Sequence, residues 1–222
     1  MKGFALVLAL LVLSVCSAFA ATLMLVTLPE RVAAGSYRDS VAALNAADAA
    51  IELAAREMRS IADWNTVLSG TTRSRLVDGA PSGLRAIARG EDIDLAKITN
   101  ELTCGSATVC SDARLRLRTA ERPWGSNNPR WRLFIYTPLA AVRATPEFSD
   151  RYVVVWVGDD GSESDGNPLV DGGAPSGAGA AIVRVRAESF GPGPTRRAIE
   201  ADLVRRDSIR VQSWRTVSPA VP

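Results

Sequence analysis

The chain has 222 residues, 47% of them hydrophobic, and sets 26 basic residues against 24 acidic ones for a net charge of +2. That length holds one ordinary domain with an appendage, and so even a charge balance creates no field for gathering nucleic acid or anionic lipid. Histidine is absent, so the commonest general base and the commonest neutral metal ligand are both missing, which removes many enzyme chemistries.

The run Phe4–Leu28 carries no charge, follows Lys2, and ends where Glu30 and Arg31 restore charge. As a helix rising about 1.5 Å per residue it would be roughly 37 Å long, enough to cross a bilayer. The basic end is expected to stay cytoplasmic by the positive-inside tendency, with the bulk of the chain on the outer side. Three processing schemes compete for this segment. Ala18-Phe19-Ala20 offers an A-x-A site for secretory cleavage after Ala20, yet the apolar run continues through Ala21-Thr22-Leu23-Met24-Leu25-Val26, which a signal peptide does not need. A lipoprotein site at Leu13-Ser14-Val15-Cys16 lacks a small residue before the cysteine. The third scheme is a very short leader, Met1-Lys2-Gly3, with Phe4 opening the apolar helix. An uncut anchor that keeps Met1 is a further possibility.

From Pro29 to about Asp63 no further proline occurs, and Val41, Leu44, Ala47, Ile51, Ala54, Met58 and Ile61 recur at three- and four-residue steps. This spacing predicts a half-buried helix with one apolar stripe, continuous with the membrane segment apart from a kink at Pro29. Glu52 and Arg56 stand four apart in the favourable order.

Residues 64–91 read as irregular, with a short strand near Arg75-Leu76-Val77, and a helix is expected near Asp94–Leu102. Strands are expected at Ala113–Ala120, Trp131–Tyr136, Tyr152–Val157, Ala181–Ala187, Arg197–Arg205 and Ile209–Trp214, several with alternating apolar residues. An antiparallel sheet follows. Residues 158–180 are rich in glycine and acid and read as an exposed loop.

Cys104 and Cys110 would lie outside the cytoplasm and are expected to form a disulfide closing a small loop, for a contribution of about 2–3 kcal/mol. Cys16 reads as a small apolar residue of the membrane helix. In the acidic loop, Asp159, Glu163 and Asp165 could offer oxygens to Ca²⁺, against a plain solvated turn; the order of ligands is not that of an EF-hand. No other cofactor is indicated. Arg114, Arg116, Arg118, Arg184 and Arg186 alternate near Trp131 and Trp156, a pattern compatible with a nucleic-acid face but explained more simply by solvated strand faces. No nucleophile stands beside a base and no phosphate-binding glycine pattern occurs, so no enzyme activity is expected.

The pair Gly3-Phe4 before an apolar helix resembles the prepilin N-terminus, where a membrane peptidase cuts after glycine and the new N-terminal phenylalanine is methylated. The continuation Gly35-Ser36-Tyr37-Arg38-Asp39-Ser40 and Ala42-Ala43-Leu44-Asn45-Ala46-Ala47-Asp48-Ala49-Ala50-Ile51-Glu52 resembles PilX-type minor pilins of the type IV pilus. Arg122-Pro123-Trp124-Gly125 with Asn128-Pro129-Arg130-Trp131, Val153-Val154-Val155-Trp156-Val157 with its acidic loop, and Arg186-Ala187-Glu188-Ser189-Phe190-Gly191 are similar to the heads of related subunits. The resemblance implies an α+β pilin-like fold with a leader at 1–3, an assembly helix at 4–28, an amphipathic continuation at 29–63 and a β-rich periplasmic or extracellular head at 64–222. It implies an inner-membrane location, with other pilins, the prepilin peptidase and the assembly platform as partners. Major pilins carry glutamate at the fifth mature position, where this chain has Leu8, so a minor or tip subunit is implied, of a pilus or of a type II secretion pseudopilus. A secreted periplasmic binding protein cut after Ala20 is the competing expectation.

Overall fold

The computed structural model describes residues 2–87, 92–120, 129–142, 150–161, 166–172 and 181–220. The elements in order are α1 (Lys2–Met58), α2 (Asn65–Leu68), β1 (Leu84–Arg85), β2 (Ile93–Asp94), α3 (Leu95–Cys104), α4 (Asp112–Ala120), β3 (Arg132–Pro138), a 3₁₀ turn (Leu139–Ala141), β4 (Tyr152–Asp159), β5 (Ile182–Phe190), β6 (Arg196–Arg205) and β7 (Ile209–Val217). Two compact units result, Met1–Asp39 and Ser40–Pro222. The first is helix alone. The second is an α+β unit in which β3 to β7 form one antiparallel sheet in sequence order.

In the second unit the end of α1 lies on one face of that sheet. Ala46, Ala47, Ala50, Ile51, Ala54, Ala55 and Met58 join Val153, Val155 and Val157 of β4, Val183, Val185 and Ala187 of β5, and Ile199, Ala201 and Leu203 of β6 in one core. Alanine dominates the helix side because its short side chain lets the helix backbone approach the pleated surface without voids. The buried stripe keeps Ala47, Ile51, Ala54 and Met58 of the expected one but is broader and shifted at its ends. Val41 is 38% exposed and Leu44 and Ile61 only partly buried, while Ala43, Ala46, Ala50 and Ala55 are buried in addition, so the face widens toward the smaller side chains.

The helix stops at Met58 rather than near 63, and the Met58 carbonyl and those just beyond the helix are met from elsewhere. Arg205 donates to the carbonyls of Met58, Ile61 and Ala62, and its guanidinium lies 4.1 Å from the centre of the Trp64 ring. Trp64 Nε1 donates to the Met58 carbonyl at 3.2 Å. A cation at a helix C-terminus also suits the helix dipole.

The other face of the sheet is divided. Over β3 and β4, an apolar core gathers Tyr136, Tyr152, Val154 and Trp156 with Leu95 and Ile98 of α3. Trp156 Nε1 donates to Thr99 Oγ1 at 2.9 Å, so the indole loses no polar partner on burial. Helix α3 begins with Asp94, whose carboxylate accepts from Ala96 and Lys97 N–H, and ends at Gly105 with φ 67°, the left-handed conformation that glycine adopts without strain. Over β5 to β7 this face is charged.

The strands at Trp131–Tyr136, Tyr152–Val157, Ala181–Ala187, Arg197–Arg205 and Ile209–Trp214 are all present, mostly longer than expected. The segment 113–120 is a helix and not a strand. Leu115 is buried and Leu117 is 71% exposed, so the alternation does not mark one buried strand face. Near Arg75-Leu76-Val77 the chain makes only a single parallel bridge, Val77 with Tyr136, with Asp78 N–H donating to the Tyr136 carbonyl and Tyr136 N–H to that of Leu76. The β1–β2 ribbon was not foreseen. Its organiser is Arg85, whose guanidinium donates to the carbonyls of Asp78, Ala80, Ser82 and Leu84.

Candidate functional site: the apolar helix

Within the unit Met1–Asp39, α1 is uncovered. Its most apolar stretch has a mean hydropathy of 2.6 and none of it is buried in the protein. Phe4, Leu8, Leu13 and Phe19 each expose more than half of their surface. In hydrocarbon every backbone group must find an internal partner, which a helix provides, and the side-chain hydroxyls follow the same rule. Ser14 donates to the Leu11 carbonyl at 2.8 Å, Thr22 to those of Phe19 and Ala18 at 2.8 and 3.1 Å, and Thr27 to that of Met24 at 3.4 Å. Leaving so much apolar surface in water would be strongly unfavourable at about 25 cal/mol per Å². The helix is long and apolar enough to span a membrane. It runs unbroken through Ala20 and through Pro29. The Gly3–Phe4 peptide bond lies in its first turn, and no atom approaches the position a Gly3 side chain would occupy.

The disulfide between Cys104 and Cys110 is present, with Cα atoms 5.8 Å apart. It ties the last residue of α3 to the segment leading into α4. Cys16 carries a free thiol on the exposed apolar helix.

The calcium candidates are not gathered in the described residues. Glu163 and Asp165 lie outside them, and Asp159 is fully buried at the end of β4, its Oδ1 accepting from Asp160 N–H at 2.9 Å. Asp160 is buried as well, so this start of the loop is not the solvated turn expected from its composition. Asp171 serves the fold: its carboxylate accepts from Ala181 N–H at 2.8 Å, and its own N–H donates to Asn65 Oδ1 at 2.7 Å. Among the described residues no group of three or more potential ligands is placed to hold a metal ion.

Comparison with protein-family models, with curated proteins and with solved structures finds no match to this chain.

The strand arginines are not a free cationic face. Arg184 pairs with Asp202 at 2.8 Å, Arg186 with Glu200 at 2.9 Å, Arg215 with Glu200 at 2.7 Å, and Arg196 with Glu188. The register explains the row, because Arg184 faces Asp202, and Arg186, Glu200 and Arg215 lie side by side across three strands. Arg114 belongs to α4 and not to the sheet. Burial pushes Glu188 upward from its ordinary range, against the pull of Arg196 and Arg186. For Glu200 and Asp202 burial acts in the same direction but is outweighed. Hydrogen bonds from Arg215 and Arg186 hold Glu200 low, and those from Arg184 and Ser213 hold Asp202 low. The sequence signal for this row is the alternation Arg184-x-Arg186-x-Glu188 beside Glu200-x-Asp202, which acquires meaning only once strands are paired.

A pH dependence follows from those shifts. Carboxylates with lowered pKa stabilise the fold above their unfolded values, 4.5 for Glu200 and 3.8 for Asp202, and that contribution is lost as pH falls through the folded values below these. Glu188 acts in reverse: it gains stability as pH falls from its raised folded value toward 4.5. The melting temperature followed by circular dichroism should therefore not fall between pH 7 and 5, where Glu188 can only add stability, and should drop below about pH 4. Glu200→Gln should flatten that acid drop; an equally steep drop in the variant would contradict the assignment.

Proposed function

We propose that this chain is a minor, pilin-like structural subunit that sits in the inner membrane through α1 and helps to initiate, assemble or cap a type IV pilus or a related filament. The observation that carries the reading is α1 itself. One helix begins as an uncovered apolar segment of membrane-spanning length and ends as the alanine-rich core of an antiparallel β unit. Such a helix has two environments that keep its apolar surface from water, namely lipid before assembly and neighbouring apolar helices afterwards. Its work is then assembly and not turnover, and lifting it out of the bilayer requires an external motor. The partners on this reading are other pilins, the prepilin peptidase that cuts between Gly3 and Phe4, and the membrane platform. The disulfide agrees with a head outside the cytoplasm. Leu8, which stands where a major pilin has glutamate, supports a low-abundance position over the repeating one.

Mass spectrometry of the mature N-terminus, taken from native membranes and from sheared surface filaments, tests this. A chain beginning at N-methylated Phe4 is the expected result. A chain beginning at Ala21 would replace this reading with a soluble exported protein, and retention of Met1 would leave an uncut single-pass anchor. A type II secretion pseudopilus is the alternative assembly; co-purification with secretion pseudopilins instead of pilus subunits would select it.

A further inference from the structure

The segment after β7 leaves the sheet edge and turns back over the charged face. The Ser218 carbonyl accepts from Arg186 Nη2, and Ala220 N–H donates to Glu188 Oε2 at 3.1 Å. Pro219 between them has no N–H to satisfy, and Ala220 is buried. Both bonds go to main-chain atoms two residues apart, so the side chains of the sheet read the backbone of an extended segment. The receiving groups are firmly built. Glu188 is fully buried and Arg186 is 5% exposed; Arg196 holds the first and Glu200 the second. The segment brings no charge of its own: Ser218, Pro219 and Ala220 are small and neutral.

We propose that Arg186 and Glu188 form a two-point binding site for an extended, uncharged, small-residue peptide, filled here by residues 218–220 of the same chain and able to take the same segment from a second copy. The chemistry requires one carbonyl and, two residues on, one N–H, which the identical segment of another copy supplies equally well. Hydrogen bonds to ionised groups are the stronger kind, and exchange of an identical element between copies is a low-cost route to association. The inference goes beyond the filament reading and does not depend on it.

The test uses the full chain carrying Ala220→Pro, which deletes the single N–H given to Glu188 and leaves the sheet residues unchanged. A fluorescently labelled peptide Val-Ser-Pro-Ala-Val-Pro, the sequence of residues 217–222, should bind this variant saturably in polarisation measurements. It should bind the unmodified chain roughly tenfold more weakly, because there the internal segment competes. The same peptide N-methylated at alanine should lose about tenfold in affinity for the variant. Absence of binding to the variant, or equal binding of the methylated peptide, overturns the proposal. In the unmodified chain the Ala220 amide should exchange with solvent at least about tenfold more slowly than an open one; exchange at the open-chain rate overturns it as well.

Discussion

Arg186→Ala should lower the stability of the sheet unit by about 3–5 kcal/mol, the range for removing one partner of a buried ion pair. Arg186 lies at the centre of the charged row. It is 2.9 Å from Glu200 and 3.8 Å from Glu188, and it also donates to the Ser218 carbonyl. Its removal leaves Glu188 with Arg196 and the Ala220 N–H, and Glu200 with Arg215 alone. The variant that tests the cause is Arg186→Met combined with Glu188→Leu, Arg196→Met and Glu200→Leu, so that no mostly buried member of the cluster is left charged and alone. Replacing a buried ionic cluster by apolar residues of similar volume is often neutral or stabilising, so the quadruple variant should recover much of what Arg186→Ala loses. Urea unfolding of both proteins measures this. A single variant as stable as the parent would show that the row is energetically idle.

The second large effect is expected at Trp156. Truncation to alanine should cost about 3–5 kcal/mol through lost burial and the cavity left behind, because the ring is completely buried between the sheet and α3. The Thr99 hydroxyl also loses the indole N–H that it accepts. Trp156→Phe retains most of the volume and should lose distinctly less, by about 1–2 kcal/mol. Because α3 ends at the disulfide, hydrogen exchange in α3 should speed up in the alanine variant while the amides of β6 stay protected. If both regions loosen together, the apolar and charged halves of this face unfold as one.

Not every close fit in the sheet is apolar against apolar. At Gly158 a Cβ would lie 2.9 Å from the Pro129 side chain and 3.2 Å from the Trp131 ring. Glycine is required there by close approach and not by backbone angle. At Gly191 an added Cβ would run into the Arg151 guanidinium, the far end of a long side chain, which would have to shift.

The sequence by itself determined the apolar helix, its amphipathic continuation, the disulfide and most of the sheet. Each of these is written in local terms. An uncharged stretch has one stable home, a repeat of three and four residues has one periodicity, and strands such as Val153–Val157 consist of residues that favour a pleated surface. Asp94 and Gly105 similarly mark the two ends of α3 in plain sight. The short lifetime of local information shows at 113–120. Leu115 and Leu117 alternate as in a strand, yet the segment is helical, with Ser111 Oγ accepting from the Arg114 N–H at 3.3 Å at its start and Asp112 in its first turn. Only the tertiary structure decided how wide the buried face of α1 is, where the helix stops and what the arginines do. The stripe widened to include Ala43, Ala46 and Ala50, small side chains that let the helix lie close to the sheet. The helix ends at Met58, where Arg205, distant in sequence, reaches the Met58 carbonyl and that of Ile61 just beyond it. Arg184 and Arg186 read as surface charges until strand register places Asp202 and Glu200 opposite them. Pairing across strands has no local signature, since the energy of an ion pair depends on distance and burial, and both are set only when distant segments meet.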